Sequence, residues 1–273
     1  MPQPIRIGAV EYLNSKPLIC ELPRLAPGAR VMLDLPSRLA TRLAAGELDV
    51  ALIPVIEYFR GTNYAIVPHI AIACRGPVLS VTLFSKKPWA EIQSLALDEG
   101  SRTSAALTQV LLQKRYGIRP RLEALKADQP VETTKTDAVL LIGDRAMRSD
   151  LPGYAHSYDL GQEWFEWTGL PFVFAVWAVR PGVDLGDIAE ALQAAKRCGL
   201  ANLAAIASRE ARLLGLDAAF CRSYLANLIR FDLGSGETAG LSRFYDLAVE
   251  LDLAPPRVGI RLYTEAPKLA AAL

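Results

Sequence analysis

The chain has 273 residues, 51% hydrophobic and 22% charged, a mixture that suits an ordinary globular protein and excludes disordered, collagen-like and coiled-coil classes. Thirty Lys plus Arg against twenty-nine Asp plus Glu leave a formal charge of +1, so no global field gathers nucleic acid or an anionic membrane, and any anion site is local. At roughly one domain per ~150 residues, the length favours two domains.

Taken in chain order, Ile5 to Val10 reads as a short strand, Tyr12 to Pro17 as a turn, and the apolar run from Leu18 as a helix. Val31 to Leu35 is the next strand. Pro36-Ser37 opens a helix through Leu39, Leu43 and Ala44 that stops at Gly46, and Asp49 to Pro54 is again strand. Such alternation implies a parallel sheet with helices on its faces, and ligand sites there lie at the carboxyl ends of strands. Leu95 to Leu97, the Asp98-Glu99-Gly100 loop and the helix from Ser101 to about Tyr116 repeat the unit. Ala138 to Ile142 is a buried strand ending at Gly143-Asp144. Pro171 to Val179 is apolar on both faces and reads as a strand or crossover, and from Asp184 onward Ala and Leu recur at helical spacing. No flexible linker or repeat is present, so two domains would be joined by strands; Val78 to Phe84 and Phe172 to Val179 are the candidates.

Four segments offer chemistry. In Glu11-Tyr12-Leu13-Asn14-Ser15-Lys16-Pro17-Leu18, a helix start supplies free N–H groups and a positive dipole end, Asn14 and Ser15 add hydrogen bonds and Lys16 a charge. The bland reading makes Asn14 a cap and Lys16 a solvated cation. Ser101-Arg102-Thr103-Ser104 puts three hydroxyls and a guanidinium at a second helix start, more donors than capping needs. Gly143-Asp144 combines a close backbone approach with a carboxylate that is either a cap or a proton acceptor. Trp164 to Phe172 is dense in aromatic residues, which favour core or lobe–lobe packing over a cleft wall. His69 and His156 lie outside all four and receive no role.

Cys20, Cys74, Cys198 and Cys221 stand singly, with no CxxC pair and no histidine nearby, which predicts four buried thiols in a reducing compartment and no metal site. Arg6 and Glu11 interrupt the first apolar run before it could serve as a signal-peptide core, and nothing approaches the ~18 apolar residues of a membrane span. A cytoplasmic protein without membrane or nucleic-acid partners is expected. The sequence holds no GxGxxG after its first strand, no Walker motif, no GxSxG and no HExxH.

Together YLNSKPL, LPSRLATRLAAGELDVALIP, CRGPVLSV, SRTSAAL, LIGD and WTGLPFVFAVW form an ordered set. It resembles the menaquinone-biosynthesis chorismate dehydratases of the futalosine route, relatives of type 2 periplasmic solute-binding proteins. The likeness is dense from Ile5 to about Val179 and looser in the helical remainder. It implies a two-lobed α/β fold, each lobe a mixed, mostly parallel sheet flanked by helices, with a helical C-terminal third. Lobe I would comprise 1–84 with 179–273 and lobe II 85–178, with the ligand cleft between them.

The resemblance further implies a hydro-lyase without cofactor that converts the small dicarboxylate chorismate to 3-[(1-carboxyvinyl)oxy]benzoate and water. Ligand contact carries onto Asn14, Ser101, Arg102, Thr103 and Ser104, with Ser80 at the hinge facing the ligand. Ser15, Lys16 and Gly143 complete the expected binding set. Two strand-to-helix sites on facing lobes would each take one carboxylate. One ring proton and the neighbouring hydroxyl must leave, and the base is either a carboxylate, Asp144 or Glu11, or the substrate's own enolpyruvyl carboxylate. The rival readings are a naphthoate synthase of the same pathway, for which a histidine base is expected, and a non-catalytic small-anion binder. The oligomeric state is not legible.

Overall fold

The computed structural model describes residues 3–126, 128–148 and 150–264. The first βα units match the residue pattern closely: β1 (Arg6–Ala9), a 3-10 turn (Leu13–Ser15), α1 (Lys16–Ile19), α2 (Leu22–Leu25), β2 (Arg30–Leu33), α3 (Pro36–Ala44), β3 (Val50–Pro54) and α4 (Val55–Arg60). Pro36 occupies the first turn of α3, where no amide partner is needed, and Leu39, Ala40 and Leu43 form its buried face. β3 is buried at every residue, as a central strand covered on both faces must be. The long β4 (Ala65–Cys74) follows. Pro68 and His69 interrupt its sequence pattern, and the strand absorbs them where its register shifts against its neighbour, with His69 at φ +61°.

The middle of the chain gives β5 (Val81–Ser85), β6 (Ser94–Asp98), α5 (Arg102–Val110) running on into a π turn (Leu111–Arg115), and β7 (Arg121–Leu125). β8 (Ala138–Ile142), α6 (Gly143–Arg148), β9 (His156–Asp159) and α7 (Leu160–Thr168) complete it. Then come β10 (Phe172–Val179), α8 (Asp187–Ala201), α9 (Leu203–Leu214), α10 (Ala218–Ser223), a π turn (Tyr224–Leu228), β11 (Ile229–Arg230) and α11 (Ser235–Glu250).

Among the described residues the strands form a six-stranded sheet, order β11-β4-β10-β3-β1-β2, and a five-stranded sheet, order β7-β6-β8-β5-β9. Within the first, β10 and β11 run against the rest; within the second only β5 does, so both sheets are mixed and mostly parallel in strand direction. β5 pairs with β8 and β9 in the second sheet, and β10 pairs with β3 and β4 in the first. The chain therefore passes between sheets in 75–80 and again between Asp159 and Phe172, ahead of the divisions at 84/85 and 178/179 expected from sequence. The reason is that each crossover segment ends in a strand that joins the sheet it enters.

Trp164, fully buried, anchors the second passage. Its ring packs edge-on against Phe172 and Phe244, and its Nε1 donates to the carbonyl of Pro171 at 3.2 Å. The WTGLPF motif thus meets the core through Pro171 and Phe172, while Trp167 to Leu170 are half-buried or exposed and Gly169 closes α7 at φ +70°. Cys74 and Cys221 are buried, but Cys20 and Cys198 are half-buried, correcting the expectation of four buried thiols; all four are free. No described helix is long and apolar enough to cross a membrane.

Candidate active site

After β1 the chain turns sharply because Ser15 folds back on it. Its Oγ donates to the carbonyls of Val10 and Tyr12, and its amide bonds the Tyr12 carbonyl at 3.0 Å. Ser15 is spent inside the turn, which leaves Tyr12 and Asn14 facing the junction between the sheets. The turn is clamped from two directions. The Leu13 amide donates to Asp144 Oδ1 at 3.0 Å, across from the second sheet. On the other side α8 presses against it so closely that a Cβ at Gly199 would lie 1.9 Å from the Pro17 carbonyl oxygen.

The first passage between sheets supplies Ser80. The amides of Val78 and Leu79 donate to Asp159 Oδ2 at 2.9 and 2.6 Å, a carboxylate that also caps α7 through Gly161 and Gln162. Leu79 is held at φ +57°. The Ser80 carbonyl accepts from the Gly143 amide at 2.7 Å, and its Oγ accepts from the Tyr224 hydroxyl at 2.8 Å. Burial is the main force that holds the Tyr224 phenol well above its usual pKa; Asp144 and Cys74 add to it, and Ser80 and Asn14 oppose it. Tyr224 therefore remains a donor, which leaves the Ser80 proton free to point elsewhere.

Ser101 caps α5, accepting from the Ser104 amide at 3.3 Å, while the two hydroxyl oxygens lie 3.0 Å apart. Gly143 takes φ +61°, and a Cβ there would meet the Tyr12 ring at 3.1 Å. These parts line a narrow cavity of about 50 Å³ bounded by Asn14, Ser80, Ser101, Ser104, Tyr12 and Gly143, with apolar walls that include Pro36, Pro54, Ile142 and Phe174. No Asp, Glu, His, Lys or Arg is among its described lining residues. What polarity it has comes from hydroxyls, one amide, and the start of α5 with its dipole.

Of the residues singled out from sequence, the cavity gathers Asn14, Ser80, Ser101, Ser104 and Gly143. Ser15, Lys16, Arg102, Thr103 and Asp144 lie outside it. Lys16 pairs with the buried Glu210 at 3.4 Å. Arg102 reaches away to Glu57 at 2.8 Å and to Thr41 Oγ1 at 3.0 Å, and Thr103, fully buried, accepts from the Ile56 amide at 3.1 Å. Each of these three ties the second sheet's α5, or the Asn14 turn, to a neighbour. Asp144 and Glu11 face an adjoining groove on the far side of Tyr12. Burial raises the Asp144 pKa, with Glu210 adding to it while the Leu13 amide and Lys16 oppose.

Sequence reading assigned nothing to Tyr12, Phe174 or Tyr224. Tyr12 opens the YLNSKPL motif two residues before Asn14, so local pattern does point to it. Phe174 and Tyr224 read as core, and only the tertiary fold brings them to the cavity wall and to Ser80.

A family profile described as menaquinone biosynthesis matches residues 5–250. The chain is 34% identical over 271 residues to a chorismate dehydratase of Thermus thermophilus, covering 93% of this chain and 98% of that one. It is 28% identical to a chorismate dehydratase of Campylobacter jejuni, covering 90% and 99%. Among solved structures, the periplasmic aliphatic sulphonate binding protein SsuA of Escherichia coli superposes with a TM-score of 0.65 at 15% identity, covering 97% of this chain and 94% of that one. Its Xanthomonas axonopodis counterpart, bound to MOPS, gives 0.68 at 16%, covering 94% and 96%. The last two establish a two-lobed periplasmic-binding-protein-like fold, and the profile with the Thermus relative establishes that this chain belongs to the menaquinone biosynthesis family.

Proposed function

We propose that the protein is a chorismate dehydratase, a hydro-lyase that converts chorismate to 3-[(1-carboxyvinyl)oxy]benzoate and water. In that reaction the C–H bond at the ether-bearing ring carbon and the neighbouring C–O bond break, a ring double bond forms, and the proton and hydroxyl leave as water. The ring becomes aromatic, so the equilibrium is favourable and the protein's task is to lower a barrier.

The observation that carries the reading is the composition of the cavity wall: hydroxyls and an amide at the junction of two lobes, with no titratable base of ordinary strength beside them. A protein with that wall acts by positioning. Asn14 and the Ser101–Ser104 pair hold the two carboxylates, and the enolpyruvyl carboxylate, fixed over the ring, takes the proton intramolecularly. Well-oriented reactions of this kind gain up to about 7–11 kcal/mol. Ser80, whose proton Tyr224 leaves free, faces the departing hydroxyl. Asp144, bonded to the Leu13 amide, is a positioning residue for the Asn14 turn. Apolar walls from Phe174 and Ile142 keep the site dry and strengthen these polar contacts. Neither His69 nor His156 lines the cavity, which disfavours the naphthoate synthase reading.

The test is to incubate the purified protein with chorismate and follow a product lighter by one water by mass spectrometry. Unchanged chorismate would sink the proposal.

A further inference from the structure

β2 closes one edge of the six-stranded sheet, and all four of its residues are exposed. Three are apolar: Val31 at 37%, Met32 at 37% and Leu33 at 47% exposure. Open edges are usually blunted by charge, proline or a covering element; within Arg30–Leu33 only the first residue is charged.

The backbone phase of this edge is fixed by its inner neighbour. The Arg30 amide donates to the Ile5 carbonyl at 2.8 Å and the Asp34 amide to the Ala9 carbonyl at 3.2 Å, so the even-numbered residues bond inward. Val31 and Leu33 therefore turn their amides and carbonyls outward. We propose that this edge pairs with the same edge of a second copy, antiparallel about a two-fold axis through Met32.

In that register Val31 opposes the partner's Leu33 and Leu33 the partner's Val31. Both are hydrogen-bonded pairs, and together they satisfy all four outward groups. Met32 faces its own copy at the non-bonded position between them. Arg30 opposes Asp34 at both ends. The Arg30 side chain has no ion pair among the described residues, whereas Asp34 already faces Arg38 at 3.7 Å and Arg42 at 3.3 Å, so the pairing extends an existing network. On the other face, Val31 and Leu33 of both copies form an apolar strip. It continues into Leu213 of α9, 73% exposed, which shares a groove with Leu33. One strand thus complements itself in backbone bonding, apolar content and charge, as a two-fold interface requires. The six-stranded sheets of two copies become one continuous sheet, with both cavities left open. A five-residue strand pairing per copy, Arg30 to Asp34, places the interface at the small end of stable contacts, so association is concentration dependent.

Sedimentation of the full chain over about 1–200 µM, a span chosen for small interfaces, tests this. The expected result is a shift from 29.7 kDa to twice that mass. Val31→Pro removes an outward donor while leaving the ladder to β1 intact, and Arg30→Glu sets like charges opposite each other. Both are expected to remain monomeric with unchanged circular dichroism. A wild-type chain that stays at the monomer mass throughout overturns the proposal, and so does a dimer that persists in both folded variants.

Discussion

The division of labour inside the cavity is set by single hydrogen bonds, and each can be removed separately. Asn14 is the only amide side chain among the described residues of the wall. Asn14→Ala is expected to lower kcat by about 10²–10³, the cost of one donor aimed at developing charge, with a much smaller change in KM; steady-state kinetics on chorismate would show it. Tyr224 stands behind the wall and meets it through Ser80, to which its hydroxyl donates. Tyr224→Phe leaves the buried Ser80 hydroxyl without its donor, and one neutral hydrogen bond corresponds to about 0.5–1.5 kcal/mol, so a loss in kcat of up to about tenfold is expected with little change in KM. An equal loss in both parameters would remove Tyr224 from the orienting role. Legibility at this scale depended on the source of the signal. Asn14, Ser101, Ser104 and Gly143 lie where strands hand over to helices, which local pattern reveals. Lys16 and Arg102 lie there too, yet they point elsewhere because Glu210 and Glu57 wait for them far along the chain. No local pattern carries that information, nor the 144-residue step that brings Tyr224 to Ser80.

Elements are fixed by a few close approaches and one buried carboxylate. α8 seats the Asn14 turn through Gly199, and α11 seats the hinge through Gly240, where a Cβ would lie 1.9 Å from the Pro171 carbonyl oxygen. Gly199→Ala forces backbone to shift and is expected to destabilise the fold by about 1–3 kcal/mol, lowering Tm and, because the Asn14 turn moves, kcat as well; thermal melts beside kinetics would separate the effects. Asp49 joins β1 to the end of β10. It accepts from Arg6 Nη2 at 2.7 Å, the Arg6 amide at 2.9 Å and Arg180 Nη2 at 3.0 Å, and the Arg6 contacts chiefly hold its pKa well below the usual carboxylate range. A depressed folded pKa means the stabilisation is complete above the unfolded value of about 3.9 and fades as pH falls through the folded one. Asp49→Asn is therefore expected to cost about 1.5–3 kcal/mol at pH 7. Its difference from wild type in urea melts should narrow as the pH drops below about 4. Strands with continuous apolar runs, β3, β8 and β10, were legible from sequence. β4 was not, since Pro68 and His69 break its pattern and only pairing with β10 carries the strand across them.

At the scale of the whole molecule the two lobes share one buried hydrophobic cluster, which runs from β3, α4 and β10 into α5 and β8, and several polar contacts join them across the junction. Leu13 to Asp144, Ser37 to the Gly100 carbonyl at 3.2 Å, Ile56 to Thr103 and Arg102 to Glu57 all cross the junction. The Arg102 side chain is 40% exposed, and ion pairs of that kind contribute only about 0.2–1 kcal/mol. Such a set can hold the cavity shut and still release it at each turnover. Arg102→Ala is expected to raise KM less than about fivefold and to enlarge the radius of gyration measured by small-angle X-ray scattering; an unchanged profile would remove the pair from closure. The strand order has one more consequence. β10 sits between β3 and β4, so β4, complete at Cys74, has no inner neighbour until the ribosome has reached Val179. Every strand of the other sheet lies between Val81 and Asp159. The nascent chain can therefore assemble its middle first, while β4 waits beside the already paired β1, β2 and β3, and a translational stop before Phe172 would leave β4 without its inner partner.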